Sequence, residues 1–172
     1  GEGEGNELYT IEHLGSDASG EALRVVFSGR ETIFKGVKKL VAFGGDGDDH
    51  IYVKEGVTSD VEFHGGDGND VFIYDGIGSA WLYGDAGDDY LATGESSNRA
   101  FLFGGEGMDY IIHDGKGRAE IDGGGGSDKI YGSAAADLIR GGAGNDDIDG
   151  RGGADQMFGD GGEDLIHWDY AD

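Results

Sequence analysis

The stretch "GGDGNDVFI", residues 65–73, sets three glycines and two acids within six residues and then returns to apolar chain. Glycine is the residue that loses most freedom on ordering, and acids beside backbone carbonyls gather negative potential. A segment with both burdens needs a physical reason to be repeated, and it is repeated. Aligned on the glycines, "GGDGDDHIY" (44–52), "GGDGNDVFI" (65–73), "GDAGDDYLA" (84–92) and "GGEGMDYII" (104–112) share one frame. Five more units follow without a gap: "GGGGSDKIY" (123–131), "GSAAADLIR" (132–140), "GGAGNDDID" (141–149), "GRGGADQMF" (150–158) and "GDGGEDLIH" (159–167). All nine carry Asp at the sixth place and Ile, Leu, Phe or Met at the eighth.

The frame has a direct structural reading. Six residues make a turn, with glycines where φ must be positive or where backbones come close. The last three form a short strand whose period of two sends only the eighth residue inward. Two such units, 18 residues, close one flattened coil, and successive coils pair as parallel strands about 4.8 Å apart. Asp49, Asp70, Asp89, Asp109, Asp128, Asp146 and Asp164 are separated by 21, 19, 20, 19, 18 and 18 residues. Each step is therefore about one coil, and these seven carboxylates stack along one edge. Asp137 and Asp155, 18 apart, begin a second column on the opposite edge. The expected fold is all-β, a parallel β-roll or β-helix solenoid.

A column of ionised carboxylates at that pitch repels itself by a few kcal/mol per neighbouring pair at an intermediate dielectric. Calcium relieves it, because Ca²⁺ takes six to eight oxygens from carboxylates and backbone carbonyls in forgiving geometry. The expected ligands are the nine sixth-place aspartates with carbonyls of the turn glycines. These are Gly44, Gly45, Gly47, Gly65, Gly66, Gly68, Gly84, Gly87, Gly104, Gly105 and Gly107 in the first four turns. Gly123, Gly124, Gly126, Gly141, Gly142, Gly144, Gly150, Gly153, Gly159 and Gly162 follow in the contiguous run. Sites between seven stacked turns number six and the Asp137/Asp155 pair adds a seventh, so about six to eight ions are expected. Seven would bring the formal charge of −24 to −10.

The nonapeptide resembles the RTX (repeats-in-toxin) repeat, G-G-x-G-x-D-x-U-x with U large and apolar, a known calcium-binding parallel β-helix motif. The resemblance spans residues 44–167. It implies a structural, non-enzymatic module of a larger protein from a Gram-negative bacterium, exported unfolded by type I secretion and folded by calcium outside the cell. Toxins and adhesins are among the family's hosts. An alternative is an export or polysaccharide-binding module attached to a secreted protease, lipase or epimerase.

Composition agrees. The net charge of −24 and pI of 4.2 repel nucleic acid and anionic membranes and favour cations. There is no cysteine for a disulfide, no proline, and no apolar run of membrane-spanning length. The start at Gly1, without Met, suggests a fragment or processed form, and a monomer is expected. With 38 glycines and a narrow core, the calcium-free chain is expected to be largely disordered.

The chain divides into four stretches. Residues 1–43 read as β coils or a cap without a metal motif, with strands at "LRVVF" (23–27), "ETIF" (31–34) and "KLVAF" (39–43) and a worn turn in which Glu7 stands for Asp. Residues 44–122 carry metal turns on one edge only, since the half-coil 114–122 has Ala119 at the sixth place. Residues 123–167 carry them on both edges, although "GSAAAD" has one glycine where three are usual. Residues 168–172 are a tail whose Trp168 and Tyr170 could cap the core.

Parity places Ala42, Phe63, Leu82, Leu102 and Ile121 inward, opposite Ile51, Phe72, Leu91, Ile111 and Ile130. It also puts Phe43, Trp81, Tyr83, Phe101 and Phe103 outward, where they either dock a neighbouring domain, a glycan or a partner, or stack across strands. Other chemistry is missing. "DGDDHIYVKEG" (46–56) lacks the sixth-place glycine of an EF-hand, no GK[ST] follows a glycine loop, and the histidines show no H-E-x-x-H spacing. His113 falls at an inward place and reads as a core or edge residue rather than a zinc ligand.

Overall fold

The computed structural model describes residues 5–168. The described chain is made of strands and turns without a helix. It opens with β1 (Leu8–Asp17), β2 (Gly20–Phe27) and β3 (Arg30–Val37). From there it alternates between two sheets. One receives β4 (Lys39–Asp46), β6 (Asp60–Asp67), β8 (Ser79–Ala86), β10 (Arg99–Glu106), β12 (Ala119–Gly125), β14 (Leu138–Ala143) and β16 (Gln156–Gly161). The other receives β5 (His50–Val53), β7 (Val71–Tyr74), β9 (Tyr90–Thr93), β11 (Tyr110–His113), β13 (Lys129–Tyr131), β15 (Asp147–Asp149) and β17 (Leu165–His167). All pairings from β4 and β5 onward are parallel, each strand beside the next one over in sequence. This is the parallel β-solenoid.

The core is a two-residue-wide seam between the sheets. Phe63, Leu82, Leu102, Ile121 and Ile139 come from one side and Ile51, Phe72, Leu91, Ile111, Ile130 and Ile148 from the other, all buried; Ala42, at the open end, is only partly covered. Register enforces this, because Leu82 pairs with Phe63 and Leu102, and Leu91 with Phe72 and Ile111. Identical faces therefore superpose coil after coil.

Residues 5–43 depart from plain coils. β1 runs parallel to β5 as a coil strand should, but β2 returns antiparallel on β1 and β3 antiparallel on β2. The two-residue turn between β2 and β3, Ser28–Gly29, has φ of 46° and 74°. Positive φ at both central residues is the hairpin turn whose twist matches its strands. Leu23 of the hairpin is buried in the core, and Glu21 reaches the turn at residues 58–59. Its carboxylate accepts hydrogen bonds from Thr58 N–H (3.0 Å), Ser59 N–H (2.9 Å) and the Ser59 hydroxyl, with His13 Nδ1 at 2.5 Å. Burial acts to raise the Glu21 carboxyl, but the bonds from Ser59, His13 and Thr58 outweigh it and hold the group below its ordinary value.

The outward aromatics form ladders. Phe43, His64, Tyr83 and Phe103 stack with centroids 5.0, 4.4 and 4.9 Å apart, and Trp81 stacks on Phe101 at 5.0 Å. Lys39 lies over Trp81 and Arg99 over Phe101. Phe43 ends its ladder 71% exposed. The outward aromatics do stack between strands, and His64 belongs with them although its type hid it. His113 is fully buried, its Nδ1 2.6 Å from the Thr93 hydroxyl and its Nε2–H donating to Gly117 O at 2.7 Å, so it is a satisfied core residue. Trp168 is 63% exposed; Tyr170 lies outside the described residues.

Candidate metal centre

The seven first-edge aspartates form one continuous ladder. Each Oδ1 accepts the backbone N–H of the aspartate one coil earlier: Asp70 from Asp49 (2.7 Å), Asp89 from Asp70 (2.7 Å), and Asp109 from Asp89 (2.9 Å). Asp128 accepts from Asp109 (2.9 Å), Asp146 from Asp128 (2.9 Å) and Asp164 from Asp146 (3.0 Å). The worn turn joins at the top, where Glu7 N–H donates to Asp49 at 2.7 Å. The strand ladder fixes the pitch, and the pitch makes the carboxylates stack.

The second oxygen of each is the informative one. Oδ2 of Asp49, Asp70, Asp89, Asp109, Asp128 and Asp146 is buried without a hydrogen-bond partner. Orphaned carboxylate oxygens of this kind are rare in folded proteins and imply a missing counterpart. The space they face is bounded by the first-place glycines: a Cβ on Gly44, Gly65, Gly84, Gly104 or Gly123 would strike its own turn's Asp Oδ2 and the carbonyl of the first-place glycine one coil on, namely Gly65, Gly84, Gly104, Gly123 and Gly141. Gly141 and Gly159 likewise overhang Asp146 and Asp164. Carboxylate and carbonyl oxygen thus converge on one gap between two turns, the donor set of a hard cation. Among the described residues no three carboxylate or imidazole side chains gather at a point, so such an ion would draw on backbone oxygen.

The other glycines serve the backbone. The second place has positive φ throughout this edge, from Gly45 (103°), Gly66, Gly105, Gly124 and Gly142 to the non-glycines Asp85 (74°) and Asp160 (65°). The fourth place is always glycine with φ between 110° and 143°, at Gly47, Gly68, Gly87, Gly107, Gly126, Gly144 and Gly162. There each carbonyl presses on the next coil's glycine, leaving no room for Cβ. Replacing Gly104 with Ala should therefore evict the Asp109 carboxylate and destabilise the roll by roughly 1–3 kcal/mol. Gly161→Ala, at an ordinary φ with only Gly142 O at 3.5 Å, should be near neutral. Circular dichroism melts of the two variants in calcium check this contrast.

Burial drives the carboxyls upward. Asp70 and Asp128 are pushed up to about 6 and Asp89 and Asp109 to about 7, first by desolvation and then by neighbouring carboxylates, with the N–H donors opposing. Asp49 and Asp146, nearer the ends, are raised for the same first reason. A divalent ion in each gap would reverse this balance.

A second ladder was missed in the sequence. Fifth-place side chains accept the N–H of the fifth residue one coil on: Asp48 from Asn69 (2.9 Å), Asn69 from Asp88 (2.9 Å), Asp88 from Met108 (2.7 Å) and Asn145 from Glu163 (2.8 Å). It runs opposite in sense to the sixth-place ladder. The recurrence of Asp, Asn and Ser at that place was the available signal.

On the second edge, Asp137 and Asp155 do stack, with Asp137 N–H donating to Asp155 Oδ1 at 2.7 Å and Ala119 N–H to Asp137 Oδ1 at 2.7 Å. Asp137 differs in its other oxygen, which accepts the Ser133 N–H (2.8 Å) and hydroxyl (3.0 Å). Gly150 and Gly153 belong to the Asp155 turn, where Gly150 overhangs that carboxylate.

Among curated proteins and solved structures, none matches the chain. The family model of the RTX calcium-binding nonapeptide repeat matches four times, over residues 64–100, 103–139, 113–148 and 131–166. Those matches cover more than half of the chain and six of the seven first-edge turns. Periodicity, the glycine geometry and the match agree, and the chain belongs to the RTX calcium-binding nonapeptide repeat family.

Proposed function

We propose that each of the six spaces along the first edge takes one Ca²⁺, held by the sixth-place aspartates and by carbonyls of the turn glycines. The observation that carries this is the run of six buried Oδ2 atoms without hydrogen-bond partners, five of which share their gap with a carbonyl of the next coil. Six ions would bring the formal charge from −24 to −12. The protein is then a structural module in which calcium completes the folded state, a role that needs no catalytic group. The β2–β3 hairpin caps the first coil by burying Leu23 and by anchoring Glu21 at residues 58–59.

Extracellular calcium modules bind at about 10⁻⁴–10⁻³ M. With that affinity the roll is loose in a cell interior and closed outside, which suits a secreted protein exported as an open chain and locked afterwards. The family's association with type I secretion supports that reading. Calcium titrated into metal-free protein at pH 7.5 should raise the β signal in far-UV circular dichroism with a midpoint of about 0.1–1 mM. A spectrum equally β-rich in excess chelator would reject calcium-coupled folding.

A further inference from the structure

We infer that calcium holds only one edge of this roll, and that side chains close the opposite edge where ions would otherwise sit. This rests on the calcium reading of the first edge and goes beyond it.

Every gap on the first edge lies between two stacked turns, each with positive φ at its second and fourth places. The second edge has one such turn. In residues 150–155 Arg151 has φ 65° and Gly153 φ 141°, so that turn is shaped like those of the first edge. Its neighbour at 132–137 is not, because neither Ser133 nor Ala135 lies in the left-handed region. There the Ser133 N–H and hydroxyl occupy Asp137 Oδ2, the atom that has no hydrogen-bond partner in six of the seven first-edge aspartates. Two hydrogen bonds do for this carboxylate what a cation does for the others.

Further up the same edge no sixth-place acid exists, and the spaces are filled outright. Where Gly44 or Gly84 overhangs a carboxylate, Gly76 overhangs the Tyr74 ring, whose hydroxyl donates to Ser59 O at 3.2 Å. Gly115 overhangs the His113 ring and the Ser97 hydroxyl. Glu21 closes the topmost turn from outside. Side chains of four kinds thus stand in one column opposite the column of gaps. Gly132 overhangs Asp137 Oδ2 and Gly150 O much as the first-edge glycines do, but that Oδ2 is already bonded by Ser133, so the Asp137/Asp155 pair contributes no seventh ion.

Counting bound calcium by native mass spectrometry at saturating calcium, checked by isothermal titration, tests this. The wild-type chain should hold six ions. Asp137→Asn should still hold six, whereas the double variant Ser133→Gly/Ala135→Gly, which rebuilds the turn as GGAGAD, should hold seven. Seven ions in the wild type, a lower count in Asp137→Asn, or an unchanged count of six in the double variant would each overturn the inference while leaving first-edge calcium intact. No calcium in any of the three would overturn the reading on which it rests.

Discussion

Replacing Asp89 with alanine should remove two calcium ions, and replacing Asp164 should remove one. Asp89 lies between Asp70 and Asp109 in the ladder, so its carboxylate borders the gap on either side. Asp164 ends the ladder, accepts the Asp146 N–H, and has a gap on one side only. The Asp89 variant also strands the buried Asp70 N–H, whose charge-assisted bond is worth roughly 1.5–3 kcal/mol. Breaking the middle of a stack in which each repeat touches only its neighbours should therefore split the solenoid into two shorter pieces. The measured consequence would be a rise of about tenfold or more in the calcium midpoint, as 1.4 kcal/mol corresponds to a factor of ten. Asp89→Asn keeps an acceptor for Asp70 N–H and removes the charge, so it should lose ions with a smaller loss of stability. Equal stoichiometry in the Asp89 and Asp164 variants would show that the carboxylates are not shared between gaps.

The part of the fold visible in the sequence is the part where position fixes environment. A sixth-place aspartate must meet the N–H of the aspartate one coil earlier, and that demand allows the spacing to vary only between 18 and 21 residues. The inward residues follow from the same frame by parity, and Phe72, Leu91 and Ile111 sit where the period of two puts them. What was hidden depended on contacts with no period. Glu21 meets Ser59 across 38 residues, and nothing in either stretch announces the other. The antiparallel return of β3 on β2 was written in the Ser28–Gly29 pair, yet strand composition alone could not choose between a hairpin and another coil. Ser133 was visible as a missing glycine, but its bond to Asp137 needed the turn's geometry. That the outward aromatics stack on one another is visible only in the ring-to-ring distances.

Metal-free protein should be more β-rich at pH 5 than at pH 8, the reverse of a protein held by salt bridges. The four central carboxyls have native values near 6 to 7, against an ordinary 3.8 in the open chain. Between those limits the native state binds more protons than the unfolded state, so the slope of stability against pH is negative. The stabilisation is fully present below about 4 and is lost as pH rises through 6 to 7. Carrying one carboxylate such as Asp89 through that range costs roughly 4 kcal/mol, a large share of the stability of a small domain. Calcium acts in the other direction, since it requires the same oxygens deprotonated. Its apparent affinity should therefore fall as pH drops from 7.5 to 5.5, while the metal-free chain gains structure. Protons and calcium compete for one column, and each closes the roll by removing the same charges. Far-UV circular dichroism of resin-stripped protein from pH 5 to 8, without and with about 2 mM calcium (roughly twice the upper limit of the expected affinity range), reads both halves. A metal-free β signal that is flat or rises with pH would show that carboxylate repulsion is not what opens the roll.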